Sequence, residues 1–262
     1  MLSEWPLILF TTLGQTGAGL ALFAGIHTLC GGEDDGLALK PGLQFLLAAL
    51  IMGLGFGFAA LHLGSPDRMF NSMARLGSSA LSQEGLAGML AAGLCAVAGI
   101  SGLKGRVNTG LAGGALGLCL VFVFTMARIY ASMDTVPTWN TPVTHVSFFG
   151  AAIFTGAALS GLLGKSQGPA RGSVILGVVW GGILLLAVLP LQAQSAVGWV
   201  NELGAINCLA ACSGAAIVLG VAGGVLGQYR SRVRLSAFAL AWVGVLLART
   251  LFYGLHTTLI MH

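Results

Sequence analysis

The chain has 262 residues, of which 56% are hydrophobic and only 8% charged, with a mean hydropathy of +0.91. A soluble domain carries roughly 25% charged residues, because its surface must face water. So few charges exclude an ordinary soluble fold and point to lipid as the solvent. The net charge of +4 does not indicate nucleic acid, because the basic residues are spread over short loops and form no patch.

A membrane-spanning helix needs about 20 mostly apolar residues. Taken in chain order, the apolar runs predict helices over 5–30, 42–63, 83–103, 110–130, 144–164, 172–194, 203–226 and 235–260. The expected fold class is therefore all-α, a polytopic bundle of about eight transmembrane helices in a single domain spanning 1–262. The first run follows Glu4, Trp5 and Pro6 with no early Lys or Arg, so it reads as a retained helix and not as a secretory signal. Turn residues punctuate the connections, among them Gly31-Gly32, Ser65-Pro66-Asp67, Pro137 and Gly168-Pro169. No internal repeat of good quality stands out. The 41 glycines suit a membrane bundle, where small residues let helix backbones approach.

Lys and Arg in short loops set orientation. Alternate connections place Lys40, Lys104, Arg106, Lys165, Arg171, Arg230, Arg232 and Arg234 on one side. The other side holds Arg68 and Arg75, with Arg128 near a helix end. The basic side is expected to be cytoplasmic. An even helix count then puts both termini outside, in the periplasm of a bacterium. The outer connections 64–82 and 131–143 are the long ones, and long connections are commonly functional.

Polar groups concentrate at that outer side. His62 ends the second helix, Glu84 starts the third, Arg128 closes the fourth, and His256 lies near the end of the eighth. Arg249 stands 14 residues beyond Leu235, or about 21 Å along a helix. An arginine at that depth must face the bundle interior or a wet cavity. Tyr253 and His256 follow at i+4 and i+7, on the same helix face. Blander readings stand beside these: Arg249 as a snorkelling or carbonyl-bound structural residue, His62 as an interfacial anchor, and Glu84 as a first-turn carboxylate favoured by the helix dipole behind a Ser82 cap. Asp134 can order its own loop, Trp5 and Trp139 suit an interfacial belt, and His27 and His145 read as structural. The five cysteines form no CxxC pair and read as small core residues. The acidic residues lie at helix ends or in loops, against a midplane ion path. No helix carries two histidines, which disfavours a b-type haem subunit, although His62 and His256 remain a conceivable axial pair.

Four blocks carry a family likeness: Glu4-Trp5-Pro6-Leu7 with Phe10-Thr11 and Gly14-Gln15; HLGSPDRMFNSMARLGSSALSQE from His62 to Glu84; RIYASMDTVPTW from Arg128 to Trp139; and FYGLHTT from Phe252 to Thr258. The sequence resembles the membrane anchor subunit of the dimethyl sulfoxide reductase family. Residues 143–248 share only a general apolar character with it. The resemblance implies a bacterial inner-membrane subunit that oxidises menaquinol in anaerobic respiration. It would pass the electrons to an iron–sulfur subunit, beside a molybdopterin catalytic subunit on the periplasmic face. It implies catalytic roles for His62 and Glu84. His62, Arg249, Tyr253, His256 and Arg128 are the expected quinol-binding groups, and Arg68, Asn71, Arg75, Asp134 and Trp139 the expected docking groups. Menaquinol is then the bound substrate, and no haem or metal is expected in this chain. A purely structural anchor is the remaining alternative to these two electron-carrying readings.

Overall fold

Pro6, Pro41, Pro142 and Pro169 stand at or next to the first residue of their helices, where the missing N–H is no loss. The computed structural model describes residues 4–30, 40–62, 79–164, 168–195 and 203–260. Helix α1 spans Trp5–Leu29, α2 Pro41–His62, α3 Ala80–Leu103 and α4 Thr109–Ala131. Helix α5 spans Pro142–Leu163, α6 Gly168–Ser195, α7 Leu203–Gly227 and α8 Arg234–Ile260, with a short 3-10 turn at Ser231–Val233. The described residues contain no strand. All eight helices are long and apolar enough to cross a membrane. Asn108 caps α4: its Oδ1 accepts from Gly110 N at 2.8 Å and Leu111 N at 3.2 Å. Pro190 lies inside α6, tolerated in a bundle where neighbours can re-satisfy the freed backbone.

Each helix packs beside the next in two closed rings, α1-α2-α3-α4 and α5-α6-α7-α8. The rings join through α1 against α5, with α1 also touching α8 and α4 touching α5. The second four helices thus repeat the packing order of the first, a regularity not visible in the residues. In lipid a helix–helix contact requires small or well-fitting side chains at a few positions, so the same architecture tolerates unrelated sequences. Helices α1 and α5 are the most enclosed. They cross at Gly19 and Gly156, where a methyl group on either would run into the other helix's backbone.

The loops sort to two ends. Lys40, Lys104, Arg106, Arg171, Arg230, Arg232 and Arg234 gather at the basic end. The opposite, terminal end is where α1 begins and α8 finishes. Arg234 ties the basic end together, donating through Nε to Gly227 O at 2.8 Å and through Nη1 to Gly164 O. Its guanidinium thereby satisfies carbonyls at the last turns of α7 and α5, which have no partner within their own helices.

The cysteines divide. Cys95 and Cys119 are buried with their Sγ atoms 3.8 Å apart between α3 and α4. Cys30, Cys208 and Cys212 are exposed, so the core expectation fails for those three. Where lipid is the solvent, an outward-facing position is as apolar as the core, and hydropathy cannot separate the two.

Candidate functional site

The terminal end of the bundle holds a buried polar cluster contributed by α1, α4, α5 and α8. Arg249 comes from α8, well below the helix end and only 1% exposed. Its Nη2 donates to Gln15 Oε1 of α1 and to Ser147 O of α5, each at 3.2 Å. The guanidinium lies over the Phe148 ring, 3.9 Å from its centroid, and 5.6 Å from that of Phe252. Gln15 is itself oriented, donating through Nε2 to Met126 Sδ at 3.7 Å. No carboxylate bonds to Arg249 among the described residues, and its Nε is buried without a partner among them. An arginine so placed faces the bundle interior, which rules out snorkelling.

One turn further, Tyr253 donates its hydroxyl to Tyr130 Oη of α4 at 2.7 Å. Aromatic rings close the surroundings. Tyr130 meets Trp139, Phe148, Phe252 and Tyr253 at centroid distances of 5.2, 5.6, 5.4 and 5.5 Å, within the range for favourable edge and tilted contacts. Trp139 stacks on Phe252 at 5.2 Å and donates its indole N–H to Phe252 O at 2.8 Å. Thr144 Oγ1 in turn donates to Trp139 O at 2.7 Å.

Glu84 of α3 is also buried toward this end of the bundle. It is 4% exposed, and its Oε1 is buried with no hydrogen-bond partner among the described residues. It lies within electrostatic range of Tyr130 and Tyr253. Helix α3 begins at Ala80, after Ser79, with no acid in its first turn. Glu84 is therefore past the first turn, and Ser82 is a buried helical residue and not a cap. The dipole explanation for this carboxylate does not apply.

The remaining expected site residues divide by location. His62 is the last residue of α2 and His256 lies in the final turns of α8, both toward the terminal end, but their side chains fall outside the described residues. Arg68, Asn71 and Arg75 also fall outside them. Arg128 is exposed on the outer side of α4, donating through Nη1 to Gln83 Oε1 at 2.7 Å, and it does not join the buried cluster. Asp134 is exposed and accepts from Asn140 Nδ2 at 2.7 Å, pinning the α4–α5 connection. Trp139 is turned inward, 5% exposed, so its place is under that connection and not on its surface. His27 is buried with Nε2 3.0 Å from Ser173 Oγ, and His145 sits 5.3 Å from the Phe124 ring.

Reasoning from sequence missed Gln15, Tyr130, Ser147 and Phe148 as members of this cluster. Gln15 carried a signal, since an amide in the middle of an apolar helix needs an internal partner. The Ser147 contact is a backbone carbonyl and left none.

The sequence model of the family described as DMSO reductase anchor subunit (DmsC) matches residues 1–255. The protein is 32% identical to the C subunit of anaerobic dimethyl sulfoxide reductase of Escherichia coli (strain K12), over 97% of its own length and 96% of that relative. It is 30% identical to the YnfH subunit of anaerobic dimethyl sulfoxide reductase of the same organism, over 97% and 95%. A third relative, the C subunit of anaerobic dimethyl sulfoxide reductase of Haemophilus influenzae, is 31% identical over 61% of this protein and 58% of its own length. The likeness thus runs across the whole eight-helix bundle and includes the stretch 143–248, and the chain belongs to the DMSO reductase anchor subunit family.

Proposed function

We propose that this anchor subunit binds menaquinol at the terminal end of the bundle and oxidises it there. The supporting observation is a complementary pair of buried atoms with unfilled hydrogen-bonding capacity. Glu84 Oε1 is an acceptor without a donor, and Arg249 Nε a donor without an acceptor, among the described residues. Arg249 lies against the aromatic cluster, and both groups are buried toward the terminal end of the bundle. Leaving such groups unsatisfied is costly in a low-dielectric interior, so their persistence argues for a ligand that supplies both. A quinol does: its hydroxyl donates, and its oxygen gains negative charge as the proton leaves.

Oxidation of one quinol to the quinone releases two protons and two electrons. His62 accepts the first proton, since histidine titrates near neutrality. Glu84 accepts the second and passes it to the aqueous face. Arg249 and Tyr253 stabilise charge at the quinol oxygen from behind the site, with His256 on the same face of α8. The electrons go to an iron–sulfur partner docked on the connections bearing Arg68, Asn71, Arg75 and Asp134. Arg128 sits at the rim, and Trp139 holds the α4–α5 connection in shape beneath it. A molybdopterin catalytic subunit beyond that partner reduces the terminal acceptor. The terminal end faces the periplasm of a bacterial inner membrane, opposite the basic end. Protons and electrons then leave on one face, and the step moves no charge across the bilayer.

The test is menaquinol-dependent acceptor reduction in membranes holding the assembled complex, with His62→Leu and Glu84→Gln variants. Each should lose turnover by about 100-fold or more, the scale of general acid–base catalysis. Normal turnover in both variants, with assembly intact, would leave a purely structural anchor.

A further inference from the structure

At the basic end, the α3–α4 connection turns its cations outward. Lys104 and Arg106 are exposed, whereas Val107 is buried. Gly105 stands between the two cations with a φ of +154°, a conformation that favours glycine. Nothing lies within 4 Å of the place its Cβ would take, so space stays open there. Helix α2 starts beside this connection. Gly42 and Gly102 meet backbone to backbone: a methyl group on Gly42 would stand 3.0 Å from Gly102 Cα. That close approach brings Lys40, just before α2, next to the end of α3. The result is a cavity of about 200 Å³ lined by Lys40, Gly42, Gly102, Gly105, Arg106 and Val107. Two lining residues are cationic, and among the described residues no acid lines it. A pocket that encloses a whole drug-sized ligand measures roughly 300–1,000 Å³. This smaller one suits a compact anionic group carried by a molecule that otherwise stays outside.

The helix faces beside the cavity are apolar. Leu43 and Leu50, seven positions apart on α2, are exposed, as are Ile100 and Leu103, three apart on α3. Each pair shares one helix face, and in a membrane these faces meet acyl chains. A soluble phosphate would use the cations and leave the apolar half without a partner. We infer that the cavity binds an anionic phospholipid, its phosphate between Lys40 and Arg106 and its acyl chains along Leu43, Leu50, Ile100 and Leu103. The guanidinium offers paired N–H donors to two phosphate oxygens, and the ammonium adds a point charge. A zwitterionic lipid carries its own cation beside the phosphate and gains less from both. The site lies at the opposite end of the bundle from the quinol site and does not depend on it.

The test titrates the assembled complex in mild detergent with dioleoyl phosphatidylglycerol, dioleoyl phosphatidylcholine or inorganic phosphate, and reads bound lipid by native mass spectrometry. Phosphatidylglycerol should bind about tenfold more tightly than phosphatidylcholine, and Lys40→Ala with Arg106→Ala should weaken it by about tenfold. Arg230→Ala with Arg232→Ala removes two exposed charges from the same end and should leave binding within about twofold. In the parent protein, phosphatidylglycerol with a photoreactive headgroup should cross-link within 40–42 or 102–107, which localises the site even if a variant fails to fold. Equal binding of the two lipids would overturn the inference, as would unchanged affinity in the Lys40 and Arg106 variant. An equal loss in the Arg230 and Arg232 variant would reduce the effect to general attraction by the basic end and sink the site. So would cross-links confined to other segments. Inorganic phosphate that displaces the lipid at equal concentration would make this a phosphate site and refute the lipid.

Discussion

Arg249 and Gln15 lie 234 positions apart in the chain and meet at 3.2 Å in the interior, the guanidinium donating to the amide oxygen. This bond joins the first helix to the last. It fixes the amide as well, because the Gln15 nitrogen is engaged by Met126 Sδ. The cation inside the bundle is thus held by a neutral amide, a backbone carbonyl and an aromatic face. A carboxylate partner would cancel its charge, whereas neutral acceptors leave the charge available to the surrounding groups.

Gln15→Leu should therefore destabilise the bundle. It removes an acceptor from a buried cation and leaves the donor unsatisfied, a loss of about 1–3 kcal/mol. Thermal unfolding in detergent should show a lowered midpoint. Gln15→Asn, which keeps an amide, should fall between Leu and the parent. An unchanged midpoint for Leu would mean that the Arg249 contact to Ser147 O suffices.

The α1–α5 crossing makes a second expectation. Gly19→Val places side-chain atoms where the backbone of α5 runs, and that backbone cannot move without separating the two rings. Folded yield in membranes should drop severely. Gly53→Ala is the matched control: nothing lies within 4 Å of a Cβ there. It should be neutral or stabilise by up to about 1 kcal/mol, the usual Gly-to-Ala gain in a helix. Size-exclusion profiles of the two purified variants separate these outcomes.

Thiol chemistry reports which helix faces meet lipid. A membrane-soluble maleimide should label Cys208 and Cys212, which are exposed, and spare Cys95 and Cys119, which are fully buried. Intact-protein and peptide mass spectrometry would read the sites. Labelling of Cys95 or Cys119 without denaturant would contradict the α3–α4 packing.

Orientation is open to a direct measurement. Single cysteines replacing Asn140 and Lys104, in a background free of native cysteine, sit at opposite ends of the bundle. A membrane-impermeant maleimide added outside spheroplasts should label the first and miss the second. The reverse pattern would place the basic end outside and overturn the periplasmic assignment.

The membrane class, the number of helices and most of their limits were legible in the residues. Apolar runs of the required length are a local property, and lipid imposes it on each helix separately. Arg249 announced itself for the same reason, since a charge at that depth must turn inward. The start of α3 was misplaced by three residues because Ser82 reads as a cap, whereas Ser79 stands at the cap position. That small error made Glu84 look like a first-turn acid. The partners of Arg249 were beyond local reading. They come from α1 and α5, and one is a carbonyl that every residue possesses.

What the sequence determined by itself is therefore the solvent, the spans, the side that gathers polar groups and the family likeness, all of which depend on composition and order along the polypeptide. The tertiary structure alone decided the two-ring packing, the inward turn of Trp139, the outward-facing cysteines and the meeting of Tyr253 with Tyr130. In lipid, hydropathy does not distinguish an inner helix face from an outer one. Which faces meet is settled by close packing and a few buried hydrogen bonds between distant segments, and these arise only when the helices are assembled.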